Sequence, residues 1–391
     1  MIVVSKRRGN NEGSIFQRSD GRWSGQVQVG FNLDGTRKFV TYYGKTRQEV
    51  ANKLKNTLSD ISKNVFADAG KMTLEDWIWN WLKIYKKNVV RPNTYSRYTY
   101  VTKDYIVPAL GKLKIKNVTS SHIQSLYNSC VEKGLSPSSI KHIHDVLSPA
   151  LDQAVKEGLI TINPAHNTTR PAIKKAKVTV ISAEDQIKLL KYLKDDTMGV
   201  LIKLALLTGC RMGELLGLKW NDIDFNNLEI HLNQGLTWKY EFDDEKHTSY
   251  RSGVTLADLK TESSIRAIPI RKETAQMLMR YKLNQRSFCP KVENKETFFP
   301  EMVFLSEAGT LLNESNVRKR YMKILRALDI PYVKFHALRH TFATNLLENG
   351  IHPKIAQTLL GHSEMRTSME IYSHVLPNMT REAIEKTQGI I

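Results

Sequence analysis

The chain has 391 residues, 41% hydrophobic and 25% charged, with 58 Lys and Arg against 39 Asp and Glu, a net charge of +19. That length allows about two or three domains, and the composition is that of a globular, soluble chain whose positive field suits a polyanionic partner. No run of about 18 apolar residues occurs, so a membrane span is excluded; Met1 to Arg8 puts its charge after a short apolar run, the reverse of a secretory signal; and Cys130, Cys210 and Cys289 are too far apart for a metal pair or disulfide framework, which suits a reducing cytoplasm.

The charge is concentrated early: residues 1–65 carry 12 basic and 5 acidic side chains, residues 71–178 carry 17 and 7, and residues 179–391 carry 29 and 26. The first 178 residues therefore read as gripping DNA or RNA. Residues 1–13 are polar and basic, an arm. Three strands follow: Ser14 to Arg18, Arg22 to Phe31, and Thr36 to Tyr43. The middle one alternates, with Trp23, Val27 and Val29 on one face and Ser24, Gln26 and Gln28 on the other. Ser19-Asp20-Gly21 and Asn32-Leu33-Asp34-Gly35 are the turns. Thr46, with Glu49 three residues on, signs a capping box and a helix to about Ile61. A three-stranded sheet backed by a helix presents an open face that fits a major groove, and Gln26, Gln28, Arg37 and Lys38 are its candidate contacts.

Asn64 to Gly70 reads as a connection. Thr73 caps a helix from Leu74 to Tyr85, in which Trp77, Trp79 and Trp81 form an aromatic cluster mostly in the core. A second helix begins near Pro92 and carries Tyr95, Tyr98 and Tyr100; Leu110 to Ile115 turns; Thr119 or Ser120 caps a helix through Val131; and Ser136 opens a long one to about Glu157, with Gly158 as its terminal glycine. This bundle, net +10, is suited to a phosphate backbone. Arg170 to Lys177 is a basic connector whose Lys174, Lys175 and Lys177 are further candidates for DNA contact. From Val178 the pattern changes. Ser182 caps a helix, an apolar helix around Leu201 to Leu207 breaks at Thr208-Gly209, strands are expected at Leu228 to Leu232 and Gly253 to Lys260, and Thr261 to Ser264 returns the chain into a strand over Ile265 to Ile270. Lys260 is thereby placed at a hairpin tip. Helices fill the rest, one of them opening at Pro353 and closing at Gly361. The fold class expected is multi-domain and mainly α with small β-sheets.

Chemistry gathers in the second half. His336, Arg339 and His340 fall at i, i+3 and i+4, one side of a helix that begins near His336, and unite a permanent cation with two groups that trade protons near neutral pH. Arg211 follows Thr208-Gly209, and Glu214 three residues later is placed to hold its guanidinium by a bidentate bond while other donors face a phosphate. Each residue alone is more simply a solvated surface charge; the set is not. His336, His340, His362 and His374 could suggest zinc, but neither a His-Glu-x-x-His pattern nor a cysteine pair accompanies them.

In order, Thr208-Gly209-Cys210-Arg211-Met212-Gly213-Glu214-Leu215, Lys260, His336-Ala337-Leu338-Arg339-His340-Thr341, Leu359-Leu360-Gly361-His362-Ser363 and Ile371-Tyr372-Ser373-His374 resemble the tyrosine recombinase family, and within it the integrases of phages and conjugative transposons. The resemblance is strong over residues 179–380 and looser over 71–165 and 1–65. It implies an arm-type DNA-binding domain at 1–65, a helical core-binding domain at 71–165, a linker at 166–178 and a catalytic domain with a C-terminal tail at 179–391. It implies that Tyr372 attacks a DNA phosphate to give a 3′-phosphotyrosine and a 5′-hydroxyl. Arg211 and Arg339 would clamp the phosphate oxygens, Lys260 would protonate the 5′-oxygen, His336 would act as acid or base, and His362 would hydrogen-bond the phosphate. Glu214 would support Arg211, and His340 would stand behind the site. A free phenol has a pKa near 10 and needs neighbouring cations to ionise. Two guanidiniums cancel phosphate charge in the transition state, and exchange of one phosphodiester for another needs neither ATP nor a metal. The expected partners are double-stranded DNA at core and arm attachment sites and three further copies of the chain on synapsed DNA; an excisionase and a DNA-bending host protein are candidates beyond these. The location implied is a bacterial cytoplasm, with the nucleoid. The alternatives are a type IB topoisomerase-like enzyme and a DNA-binding regulator without catalysis.

Overall fold

The computed structural model describes residues 14–31, 36–62, 71–173, 179–259, 262–288 and 299–361. The chain divides by compactness into two units, Met1–Lys174 with Tyr240–Arg251, and Lys175–Lys239 with Ser252–Ile391. It is mostly helical, with small antiparallel sheets, as its patterning predicts.

In the first unit, β1 (Ser14–Gln17), β2 (Trp23–Phe31) and β3 (Arg37–Gly44) form an antiparallel sheet in that order. α1 (Arg47–Ser62) covers one face, where Val50 and Leu54 pack on Val27. Thr46 accepts from the Glu49 N–H at 3.2 Å, but the Glu49 carboxylate turns to the Lys45 N–H at 3.0 Å, so the reciprocal bond falls one residue earlier than the capping-box spacing suggests. On the other face the register sets Phe16 and Tyr43 opposite Ser24, and Phe39 opposite Gln28. The aromatic rings are about half exposed, while Ser24 between two of them is buried. This face is thus more apolar than the alternation of β2 alone suggests.

The helical part contains α2 (Leu74–Trp81), α3 (Pro92–Val101), α4 (Val107–Leu110), α5 (Ser120–Glu132) and α6 (Pro137–Lys156). Thr73, Thr119 and Ser136 cap α2, α5 and α6 through their hydroxyls. α2 and α3 each run on into a wider, π-type stretch, Leu82–Lys86 and Thr102–Ile106. Trp77 and Trp81 are core residues, and the Trp77 indole N–H donates to the Ala150 carbonyl at 2.8 Å. Trp79 instead stacks on His247 at 4.1 Å, because residues 240–251 belong to this unit: Phe242 lies edge-on to Tyr95, and Asp244 pairs with Lys87.

The second unit is built on α8 (Thr197–Thr208), preceded by α7 (Ala183–Tyr192). α8 is apolar on every side, so it is buried, and it packs against helices that follow later in the chain. After it come α9 (Met212–Leu216), β4 (Ile223–Asp224), β5 (Glu229–Leu232), β6 (Gln234–Asp243), β7 (Thr248–Asp258) and β8 (Arg266–Pro269), the parts of β6 and β7 within residues 240–251 belonging to the first unit. The described residues then give α10 (Lys272–Phe288), α11 (Glu314–Ala327), α12 (Ala337–Glu348) and α13 (Pro353–Leu360). α8 touches α10, α11 and α12. The pairing differs from expectation here. β7 pairs with β6 in a two-stranded sheet, and β8 pairs with β5, so the chain from Gly253 to Ile270 is not a hairpin. The missed strand was readable: Leu236, Trp238, Tyr240 and Phe242 alternate with more polar residues along β6. Among the described residues no helix is long and apolar enough to cross a membrane.

Candidate active site

The end of α8 is the first wall of the site. Gly209 takes a left-handed conformation, φ 64°, and a Cβ there would lie 2.4 Å from Cδ1 of Phe342 and 3.0 Å from Cδ2 of Leu360. A glycine is therefore demanded twice over, by backbone and by space. The turn delivers Arg211 as the N-cap residue of α9. There the Glu214 carboxylate accepts from the Arg211 backbone N–H at 2.8 Å and from its Nη1 at 2.6 Å. The expected bidentate grip on one guanidinium is not what forms. Glu214 divides its oxygens, because a second guanidinium, Arg266, reaches it with Nη2 at 3.0 Å and Nη1 at 3.3 Å.

The second wall is the C-terminal end of α13. The last carbonyls of a helix lack intrahelical partners and carry its negative pole, and here guanidiniums take them. Arg266 Nε donates to Leu359 O at 2.7 Å, Arg339 Nη2 donates to Leu360 O, and Arg211 Nη2 donates to Gly361 O at 3.1 Å. Arg339 also donates from Nη1 to Gly209 O at 2.8 Å, tying both walls together. Gly361 is left-handed, φ 63°, and a side chain on it would meet Ser263 O at 2.8 Å and Arg266 Nη1 at 2.9 Å. Three guanidiniums and one carboxylate make a cluster with an excess of two positive charges.

Their environments differ. Arg339 is 2% exposed. Burial, then the neighbouring Arg211, pushes its guanidinium down to about 9, so it stays a cation at neutral pH. Glu214 is 2% exposed as well. Burial alone would raise its carboxyl, but the Arg266 bonds and charge, then those of Arg211, outweigh burial and hold it below the usual carboxylate range. His336 precedes the first residue of α12 and keeps an exposed edge, while its ring meets that of His340 edge-on, 4.8 Å between centroids. The protein packed behind the ring, then His340 and Arg339, lower His336 to about 4, and the imidazole is neutral at pH 7. His340 is lowered too, by burial and Arg339, and its Nδ1 is buried without a hydrogen bond among the described residues.

The structure thus brings Arg211, Glu214, Arg339, His336 and His340 together. Lys260, His362 and Tyr372 lie outside the described residues, as do Lys174, Lys175 and Lys177. On the small sheet, Gln26 and Gln28 are half-buried, Arg37 is exposed at the start of β3, and Lys38 belongs to β3 with its side chain outside the description. Sequence reasoning missed Arg266. Its signal was an arginine two residues before Ile268 on a short strand, which sets it on the same, inward face.

A model of the phage integrase family matches residues 180–379, and one of the N-terminal SAM-like domain of phage integrases matches residues 73–131. The chain is 32% identical over 370 residues to a protein described as tyrosine recombinase XerC-like from Caldanaerobacter subterraneus subsp. tengcongensis, covering 92% of this chain and 94% of that one. It is 26% identical to the ICEBs1 integrase of Bacillus subtilis, over 77% and 79% of the two chains. Among solved structures, the Tn1549 transposon integrase in complex with transposon right end DNA matches with a TM-score of 0.67 at 23% identity, over 81% of this chain and 99% of that one. A lambda integrase tetramer bound to a Holliday junction matches with a TM-score of 0.56 at 21% identity, over 92% and 97%.

Proposed function

This chain belongs to the phage integrase family, is a tyrosine-type site-specific DNA recombinase and integrase of a mobile element, and we propose the following account of how its own residues cut and rejoin DNA. The Tyr372 hydroxyl attacks the scissile phosphorus. The bond to the 5′-oxygen breaks, a 3′-phosphotyrosine forms, and Lys260 supplies the proton that the 5′-oxygen takes. A 5′-hydroxyl from the partner duplex then attacks the phosphotyrosine, restoring the phosphodiester and the phenol. Energy is conserved through both steps. Arg211 and Arg339 meet the non-bridging oxygens, whose charge grows as the five-coordinate phosphorus forms. His336, neutral at pH 7, is in the state that accepts the phenol proton, and His362 donates to a phosphate oxygen. His340 backs His336.

The observation that carries this reading is the lattice of bonds at the end of α13. Arg211 and Arg339 are held from behind by Glu214 and three carbonyls, so their positions are set before DNA arrives, and preorganised charge costs no rearrangement during reaction. Residues 1–65 act as the arm-site reader, 71–165 as the core-site grip, 166–178 as the link and 179–391 as the catalytic part. In the arm reader, Gln26 and Gln28 address base edges while Phe16, Phe39 and Tyr43 offer apolar contact to thymine methyls. The working assembly is four copies on two synapsed duplexes, a reading supported by the likeness to a tetrameric integrase bound to a junction. An excisionase and a DNA-bending protein of the host would set direction, and the chain would work on the DNA of a bacterial cytoplasm.

The test is strand exchange between two attachment-site duplexes. Wild type should yield recombinant products. Arg211→Ala and Arg339→Ala should each lose about 100-fold to 1,000-fold in cleavage rate, with DNA binding retained. Cleavage undiminished in both variants would remove the phosphate-clamp roles.

A further inference from the structure

Arg266 has no part in the chemistry just described, yet it is more completely bonded than either arginine that faces the phosphate. Four of its five N–H donors are used: two toward Glu214, one toward Leu359 O and one, from Nη1 at 3.0 Å, toward Ser264 O. Its side chain is 5% exposed, against 37% for Arg211. With four donors spent inside the protein, Arg266 keeps one N–H for a phosphate, against three each on Arg211 and Arg339 among the described residues. What it reaches are two segments distant in sequence and the turn just before its own strand, each close in the chain to a residue of the reaction. Glu214 leads to Arg211. Leu359 stands three residues before His362. Ser264 stands four residues after Lys260.

The carboxylate in the middle explains why an arginine is required. Glu214 is buried, and an ionised carboxylate in such a place persists only with compensating charge and hydrogen bonds. Arg266 is the larger contributor to keeping it ionised, and Arg211, partly in solvent, is the smaller. A lysine could supply the charge but not the planar fork that joins two carboxylate oxygens and two carbonyls at once.

We propose that Arg266 is a positioning residue for DNA cleavage: its fork fixes Glu214, and through it Arg211, while its Nε fixes the end of α13, so that losing it slows phosphate cleavage without weakening DNA binding. The proposal rests on the phosphate-clamp role of Arg211 given above. A buried ion pair that only holds the fold together would behave differently, since it would lower stability and leave each folded molecule at full rate.

The experiment uses the full chain and a duplex of its attachment site, nicked beside the cleavage position so that the covalent adduct accumulates. Single-turnover adduct formation is measured per folded molecule, with the Kd for the same duplex by fluorescence anisotropy. Arg266→Lys should slow adduct formation by about 100-fold, the cost of a displacement of about 1 Å at a reacting group, with Kd changed by less than about threefold. In Arg266→Gln, burial is no longer outweighed by Arg266, so Glu214 should titrate at higher pH than in wild type and the rate should rise with pH over a limb absent from wild type. The double variant Glu214→Gln/Arg266→Gln should be no slower than Arg266→Gln and should lack the limb, because the two residues act as one unit. Should Arg266→Gln fail to fold, Arg266→Lys and the double variant decide the matter. Full-rate cleavage by Arg266→Lys, a Kd that weakens in step with the rate, or additive losses would each overturn the proposal. If wild type forms no adduct, or Tyr372→Phe still forms one, the reading of the reaction itself falls, an outcome separate from these.

Discussion

Gly209→Ala is the sharpest structural perturbation available at this site. The left-handed backbone at φ 64° costs a residue with a Cβ about 1–2 kcal/mol. The new methyl would sit 2.4 Å from a ring carbon of Phe342 and 3.0 Å from Leu360, where carbon atoms rest at about 3.5–4.0 Å. Both neighbours must then move, a form of overpacking that costs a further 1–3 kcal/mol or so. The sum is about 2–5 kcal/mol. Gly350 supplies an internal control in the same unit. Its φ is 75°, but a Cβ there meets nothing within 4 Å, so Gly350→Ala should cost only the backbone share, about 1–2 kcal/mol. Hydrogen exchange of the buried amides of α8 and α12 reads both variants on one scale. Gly209→Ala should also slow covalent adduct formation, because Gly209 O holds Arg339, whereas Gly350→Ala should not. Equal destabilisation by the two alanines would refute the packing argument, and an unaltered adduct rate in Gly209→Ala would refute its link to Arg339.

Glu214→Gln removes the charge that compensates Arg211 and Arg266, and breaking a buried ion pair costs about 3–5 kcal/mol; a thermal melt should show a clear drop in Tm, and an unchanged Tm would count against the cluster. His336 and His340 have folded-state values below the ordinary 6.5 or so, so the unfolded chain binds their protons first. Their contribution to stability is therefore full above about pH 6.5 and is lost as pH falls toward the folded value, about 4 for His336. Melts of His336→Gln and His340→Gln between pH 7 and pH 4.5 should show a shallower fall of Tm than wild type, and parallel curves would contradict the shifts. Phe39→Ala trims an aromatic residue, 47% exposed, from the open face of the small sheet. If about 50 Å² of it is covered by DNA, at about 25 cal/mol per Å² arm-site affinity should fall about eightfold by anisotropy, with core-site cleavage untouched; unchanged arm affinity would exclude this face.

What could be read from the sequence was mostly local. Thr73, Thr119, Ser136 and Ser182 announce helix starts because a cap is a bond between residues two or three apart, and Pro353 and Gly361 bracket α13 for equally local reasons. Arg211 and Glu214 share the first turn of one short helix, and His336, Arg339 and His340 one stretch of another, so their grouping followed from spacing. Strand pairing did not. β7 and β8 are neighbours in sequence, which suggested a hairpin, but each pairs with an earlier strand, and pairing is settled by tertiary packing. Arg266 went unseen for a related reason, since its partner Glu214 lies 52 residues away and Leu359 lies 93 residues away. Only the fold makes them neighbours. The apolar half of the small sheet's open face was hidden in the same way, because Phe16, Phe39 and Tyr43 come from two different strands beside the one whose alternation was read.

The central claim is that a tyrosine held before two clamped guanidiniums carries the DNA strand between cutting and joining. Full-length protein trapped on a nicked attachment-site duplex, digested and sequenced by mass spectrometry, tests it most directly. The account predicts a 3′-nucleotide remnant on the peptide containing Tyr372 and on no other; a remnant on a different tyrosine, or one joined through a 5′-phosphate, would contradict it.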